Sequence, residues 1–139
     1  MYNTVPHNPT VLTEKEIDSI PIIALAFVGD AVQTLTERSR VIGETSAKTH
    51  VLHRLVAGKV NANRQAEASR IVMDRLTERE SAIFKRARNV SPRNVPRHAD
   101  QNSYRASSGF EAVVGYLYLT GQEERLRELF SLAYEQQGE

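Results

Sequence analysis

Apolar residues recur at helical spacing along the chain, and this pattern predicts a series of helices. Thr13 and Glu16 have the spacing of a capping box, which marks the start of a short first helix. Pro21 favours a second start, and we expect this helix to run to Gly43 and to end there with the glycine in a left-handed conformation. A helix of this length spans roughly 33 Å and can cross the whole domain.

The middle of the chain continues with the same period. One helical stretch opens at Ser46, and another covers residues 62–76. A second capping box at Thr77 and Glu80 starts a helix that we expect to end near Arg88.

The last third contains a break and then the strongest apolar segment. Residues 89–102 carry two prolines and no apolar period, so they are predicted to form a loop. Ser103 is the predicted cap of the next helix, and Gly121 separates that helix from a final amphipathic one. Residues 113–119 also suit a buried strand, but no partner strand is apparent, and an isolated strand leaves its backbone groups unpaired. The sequence therefore predicts an all-α fold, a compact bundle of about six or seven helices.

Length and composition restrict the kinds of protein that the chain can be. With 139 residues, of which 40% are hydrophobic, it is expected to form a flexible tail over residues 1–12 and one domain over residues 13–139. The absence of cysteine excludes disulfides, thiolate zinc sites and a cysteine nucleophile. No signal peptide or membrane-spanning segment is recognisable, so we expect a cytoplasmic protein with no membrane partner.

The charge is distributed unevenly. The net charge is +1, but residues 85–105 hold six basic residues against the single acid Asp100, a local net charge of +5. Such a cluster predicts a surface that binds a polyanion, although a charged run can also be an ordinary solvated face. The basic residues are Lys85, Arg86, Arg88, Arg93, Arg97 and Arg105.

Two carboxylates occur in strongly apolar helical segments. Asp30 follows Gly29 within the long second helix, where an unpaired buried carboxylate costs several kcal/mol. Glu111 stands between Phe110 and an apolar run. Each has an ordinary explanation: Asp30 can face outward and pair with an arginine, and Glu111 can be a first-turn acid or a partner of Arg105.

The two carboxylates are more informative together than apart. If their helices pack side by side, Asp30 and Glu111 can converge on one point. Carboxylate oxygens, with water in the remaining positions, suit Mg²⁺ or Mn²⁺. Glycine at position 29 would also allow another element to approach the helix backbone closely.

Four segments resemble a known enzyme family. Residues 24–32, ALAFVGDAV, resemble the EFLGDAVL signature of ribonuclease III catalytic domains, and residues 110–119, FEAVVGYLYL, resemble their FEALIGAIYL segment. KRARN at residues 85–89 and YRAS at residues 104–107 resemble the KRGRNA and YRxS segments of the Mini-III ribonucleases, which lack the double-stranded-RNA-binding domain. The resemblance extends from about residue 16 to residue 137.

The resemblance implies an all-α, homodimeric endoribonuclease that cuts double-stranded RNA and leaves 5′-phosphate ends. Asp30 and Glu111 would be the catalytic residues and the ligands of Mg²⁺, with Mn²⁺ as a possible substitute. The implied task is maturation of the 23S ribosomal RNA precursor, helped by a large-subunit ribosomal protein, in the cytoplasm or in the plastid stroma of a plant. The residues expected to bind RNA are Lys85, Arg86, Arg88, Asn89, Arg93, Arg97, Tyr104 and Arg105.

The chain departs from the larger ribonuclease III domains at two positions. Those domains carry four carboxylates, and here Ala26 and Ser108 occupy two of the four places. The reduction is expected to leave more of the metal coordination to water or RNA phosphate. It also keeps open an alternative function, a catalytically silent RNA-binding or ribosome-associated protein on the same scaffold. A plain helical interaction module would leave Asp30 and Glu111 unexplained.

Overall fold

Helices make up the regular structure in the described part of the chain. The computed structural model describes residues 4–44, 48, 50, 62–90 and 101–135, and only the backbone of residues 44, 62, 63 and 101–106. Within these ranges there is no strand, so the predicted all-α fold is confirmed and residues 113–119 are helical. The helices are α1 (Glu14–Asp18), α2 (Ile22–Glu44), α3 (Ala62–Met73), α4 (Glu78–Asn89), α5 (Gln101–Leu119) and α6 (Glu123–Phe130).

Two of the predicted helix starts are capping boxes, as expected. The Thr13 side chain accepts a hydrogen bond from the Glu16 backbone amide, and the Glu16 carboxylate accepts one from the Thr13 amide. Thr77 and Glu80 make the same reciprocal pair at the start of α4. Each box satisfies two backbone amides that have no partner within the helix.

Helix α2 differs from its prediction in two ways. Gly43 lies inside the helix, which continues to Glu44, and its φ is not positive, so the predicted left-handed stop is wrong. The second difference concerns burial, because Ile23 and Phe27 belong to the strongly apolar segment that contains Asp30 and are nevertheless 68% and 79% exposed. One face of α2 packs against the domain, and the opposite face carries apolar side chains on the surface.

Helix α5 forms the centre of the domain, packing against α2, α3 and α4. It begins at Gln101, so Ser103 lies within the helix and not at its cap, which corrects the prediction. Phe110 contacts the rings of Phe130 and Tyr134 edge-on, with centroids 6.4 and 6.3 Å away. These rings extend the core from α5 to α6 and to the π-helical turn Ser131–Glu135 that follows it.

The turn after α5 contains the left-handed glycine of the described structure. Gly121 has φ of 71°, a conformation that side chains with a Cβ rarely adopt, and it separates α5 from α6 as predicted. The segment before α1, assigned to a loose tail by its sequence, lies against this end of α5. The Leu12 amide donates to the Leu119 carbonyl, and the buried Asn8 side chain donates to the Tyr118 and Leu119 carbonyls. The sequence did not reveal these contacts, because an extended segment has no helical period in its apolar residues.

Two arginines join parts of the chain that are distant in sequence. Arg79 of α4 donates to Glu14 at 3.0 Å and to Asp18 at 2.8 Å, which holds α1 against the domain. Arg125 of α6 donates to both carboxylate oxygens of Glu80, at 3.0 and 2.8 Å.

Some sequence predictions concern residues outside the described ranges. The helical stretch that opens at Ser46 and most of the basic loop, with Arg93 and Arg97, are among them. In the described part of the chain, no helix is long and apolar enough to cross a membrane.

Candidate active site

Helices α2 and α5 touch through their backbones at two glycines. A Cβ atom added to Gly29 would lie 1.7 Å from the Glu111 carbonyl oxygen, and one added to Gly115 would lie 2.0 Å from the Leu25 carbonyl oxygen. Real Cβ contacts almost never fall below 3.0 Å, so only glycine fits at either position. The contact brings Asp30, the residue after Gly29, to the same level of the interface as Glu111.

The two carboxylates influence each other electrostatically. Glu111 is partly buried and Asp30 is exposed. Burial, and then the negative charge of Asp30, raise the pKa of Glu111 to about 8. The structure therefore brings together the two acids that the sequence analysis singled out, while their role as metal ligands stays a prediction.

No positive group balances this pair among the described residues. Neither Asp30 nor Glu111 makes an ion pair or a hydrogen bond with the described residues. Asp30 faces outward, as its ordinary explanation expects, but has no arginine partner among these residues, and the Arg105 side chain, the expected partner of Glu111, lies outside what the structure describes. Glu111 also lies in the middle of α5 and not in its first turn. Two adjacent acids of this kind, one of them exposed, can hold a cation that keeps several water ligands, as Mg²⁺ usually does.

The positions that lack a carboxylate lie on the same two helices. Ala26, one turn before Asp30, is buried, and Ser108, three residues before Glu111, is partly buried. Within the described ranges, no group of three or more histidines or acids is placed to hold a metal ion. From the described residues, a cation at this site would have two carboxylates at most.

The basic end of α4 carries four of the predicted RNA-binding residues. Lys85, Arg86 and Asn89 are exposed and Arg88 is partly exposed. The three cations form no ion pair with the described residues, in contrast to Arg79 and Arg125.

Helix α4 meets α5 close to the carboxylate pair. The Phe84 ring lies 3.0 Å from the Cβ position of Gly109, two residues before Glu111. The side chains of Tyr104 and Arg105, and all of Arg93 and Arg97, lie outside what the structure describes.

A buried polar cluster beside the carboxylates was not anticipated from the sequence. The Gln33 side-chain amide donates to the Tyr134 hydroxyl at 3.0 Å, and Glu37, fully buried, pairs with Arg40 at 3.2 Å. Burial, and then the charge of Glu37, raise the pKa of Tyr134, and Glu111 adds to the effect. The four-residue steps from Gly29 to Gln33 and Glu37 are the signal that these polar side chains share the buried face.

The fold, and the segments that carry the site, resemble those of known proteins. The sequence model of the family described as Ribonuclease III domain matches residues 23–122, which include both carboxylates and the glycine contact. A crystal structure of a protein from Fusobacterium nucleatum superposes with a TM-score of 0.78, at 27% identity, covering 88% of this chain and 98% of the other. The class is therefore that of ribonuclease III-type helical domains.

Relatives of similar length identify the family within the ribonuclease III-type class. A Mini-ribonuclease 3 of Thermoanaerobacter sp. is 36% identical over 126 residues, covering 91% of this chain and 89% of the relative. That of Symbiobacterium thermophilum is 40% identical over 115 residues, covering 83% and 88%. The chain belongs to the Mini-ribonuclease 3 family, and its activity class is that of a ribonuclease III-type endoribonuclease.

Proposed function

We propose that the protein is a divalent-metal-dependent endoribonuclease that cleaves double-stranded RNA, with Asp30 and Glu111 as its catalytic residues. The observation that carries the proposal is the contact at Gly29 and Gly115, which holds these two acids together with no balancing positive charge among the described residues. Titratable groups perturbed by burial and by a specific charged neighbour cluster at functional sites, which supports the proposal.

The residues present fit a magnesium ion. Asp30 and Glu111 would hold it, with Mn²⁺ as a possible substitute, and the ion supplies charge neutralisation and an activated water for phosphodiester hydrolysis. The partial burial of Glu111 limits the water around its carboxylate, and the exposure of Asp30 leaves the site open to a large substrate. Hydrolysis is expected to leave 5′-phosphate ends.

Affinity for RNA would come from the end of α4. Lys85, Arg86 and Arg88 have no acidic partner in the described structure, so phosphate groups can neutralise them. The family supports double-stranded RNA as the substrate. The 23S ribosomal RNA precursor, a large-subunit ribosomal protein as helper, and a cytoplasmic location are the finer parts of this proposal, and they rest on the resemblance.

A homodimer is part of the proposal, and α2 is the surface that supports it. Ile23, Phe27, Leu35 and Ile42 are exposed and recur at helical steps on the side of α2 away from α5. Exposed large apolar residues that share one helix face are typical of protein interfaces. Asp30 lies three residues after Phe27, so a second copy docked on this face would border the carboxylate site.

The dimer is tested by light scattering after size exclusion. We expect wild type to elute as a dimer and Phe27→Asp as a folded monomer, because Phe27 contributes little to the packing of its own subunit. Val11→Asp, which changes an exposed valine outside α2, is the control and should stay dimeric. A monomeric wild type would overturn this part of the proposal.

The cleavage experiment uses purified protein and structured RNA, with and without Mg²⁺. Asp30→Asn and Glu111→Gln keep side-chain volume and remove a ligand charge, so each should abolish cleavage while the fold is retained. Glu124→Gln, a change of an exposed acid on α6, should cleave as wild type does. Binding without Mg²⁺-dependent cleavage in wild type would favour the silent RNA-binding protein, the alternative that Ala26 and Ser108 keep open.

A further inference from the structure

Two buried polar atoms beside the carboxylate pair have no hydrogen-bond partner in the described structure. They are the Ser107 hydroxyl oxygen on α5 and the Gln33 side-chain carbonyl oxygen on α2. Ser107 is 8% exposed and Gln33 is 1% exposed. Buried polar groups are almost always paired, so each of these two atoms is expected to have a partner.

Both atoms belong to the interface between α2 and α5. Gly115 meets Leu25 and Gly29 meets Glu111, so the two helices run antiparallel across the contact. One more turn along each helix leads from Gly29 to Gln33 and from Glu111 to Ser107. The two unpaired atoms therefore lie at the same level of the interface, one turn from the glycine contact.

Each side chain is held in a way that leaves one polar atom available. The Gln33 amide nitrogen already donates to the Tyr134 hydroxyl, which leaves the carbonyl oxygen as a free acceptor. Other buried hydroxyls in these helices bond to the carbonyl four residues earlier, as Thr36 does at 2.7 Å and Ser69 at 2.9 Å. Ser107 makes no such bond.

Glu111 is the natural neighbour of these atoms. Helical side chains lean toward the N-terminus of their helix, so the Glu111 carboxylate lies over the turn that carries Ser107, four residues earlier. The Ser107 hydroxyl nevertheless makes no direct hydrogen bond to that carboxylate.

We propose that Ser107 and Gln33 are positioning residues that hold one water molecule against the Glu111 carboxylate and so fix that carboxylate for cation binding. The water would accept a hydrogen bond from Ser107 and donate one to Gln33 and one to Glu111. These three bonds match the number that buried waters usually make, and they satisfy both unpaired atoms. The inference rests on the proposed function, because it assigns Glu111 to a cation site.

Binding of Mn²⁺ alone, measured by calorimetry and electron paramagnetic resonance without RNA, tests this inference. We expect Ser107→Ala and Gln33→Met each to weaken Mn²⁺ binding about tenfold, which is the usual effect of losing a group that orients a metal ligand. Ser107→Thr, which keeps the hydroxyl, should restore most of the affinity. The double variant should bind about as weakly as either single variant, because both side chains act through one water.

The control is a serine of similar burial whose hydroxyl is already bonded. Ser69→Ala should lower stability and leave Mn²⁺ affinity unchanged. Wild-type affinity in Ser107→Ala or in Gln33→Met, or losses that multiply in the double variant, would overturn the inference. A wild type that binds Mn²⁺ no better than Glu111→Gln would instead overturn the proposed metal site.

Discussion

Because of the contact between α2 and α5, we expect alanine to have opposite effects on stability at two glycines of the same helix. Gly29 and Gly43 both lie in α2, and helix propensity alone favours alanine over glycine by about 0.5–1 kcal/mol at each. A Cβ atom at Gly43 would have no neighbour within 4 Å among the described residues. Gly43→Ala should therefore raise the free energy of unfolding by about that amount.

At Gly29 the same substitution should be strongly unfavourable. The added Cβ would lie 1.7 Å from the Glu111 carbonyl oxygen, and the helices must separate by at least 1.3 Å to reach the 3.0 Å that real contacts require. The obstructing atom belongs to backbone, so no side chain can turn away. Overpacking costs about 1–3 kcal/mol or more, so we expect a net loss of about 2 kcal/mol after the gain in propensity.

Both variants can be compared with wild type by urea and thermal unfolding without added metal. For a domain of this size about 1 kcal/mol corresponds to roughly 3–4 °C, so Gly43→Ala should melt a few degrees higher and Gly29→Ala at least about 6 °C lower. Gly115→Ala should resemble Gly29→Ala, because its Cβ would meet the Leu25 carbonyl at 2.0 Å. If Gly29→Ala were as stable as Gly43→Ala, the backbone contact that joins the two carboxylates would be refuted.

Three further predictions concern charge. Arg86→Ala should weaken RNA binding and reduce the slope of log affinity against log salt concentration by about one unit. The control is Arg70→Ala, which should change neither quantity because Arg70 pairs with Glu67. Equal slopes for wild type and Arg86→Ala would show that Arg86 contacts no phosphate. Glu111→Gln should stabilise the metal-free protein, because the raised pKa of Glu111, about 8, makes wild type lose stability as the pH rises from about 4.5 to 8. At pH 7 the gain in unfolding free energy is at most about 3 kcal/mol. A difference between the two proteins that does not change with pH would contradict the raised pKa of Glu111. Burial tends to raise the pKa of Glu80, but hydrogen bonds from Arg125 and Thr77 lower it overall, so its stabilisation is present above the ordinary pKa and is lost as the pH falls below it. Acid unfolding curves of Glu80→Gln should lack this loss, and curves that match wild type would argue against the pairing.

The sequence predicted those features of the fold that have a local chemical cause. The boxes at Thr13 and Thr77 are confirmed because a hydroxyl and a carboxylate three residues apart satisfy specific amides. Glycine is a weaker signal, since it permits several conformations and requires none. Gly121 is left-handed, whereas Gly43 lies within the helix and Gly29 serves a close contact.

The features that the sequence did not predict depend on contacts between distant segments of the chain. The sequence showed that Gly29 allows another element to approach, but the approaching element is some eighty residues away. Phe27 and Ile23 look like core residues in a pattern, although they face outward, because a run of apolar residues does not show which face of the helix packs against the domain. Glu37 and Arg40 look like an ordinary exposed pair, yet the Glu37 side chain is fully buried.

The glycine contact links the stability of the fold to the proposed activity. Close packing of α2 on α5 removes a carboxylate from water and sets it beside a second one, and both effects disfavour the charged form of Glu111. The metal-free fold therefore becomes less stable at neutral pH than its packing alone would make it. A divalent cation that binds only the folded state reverses this loss by mass action. The local instability of the carboxylate pair and the proposed affinity for divalent cations would then be two consequences of one backbone contact.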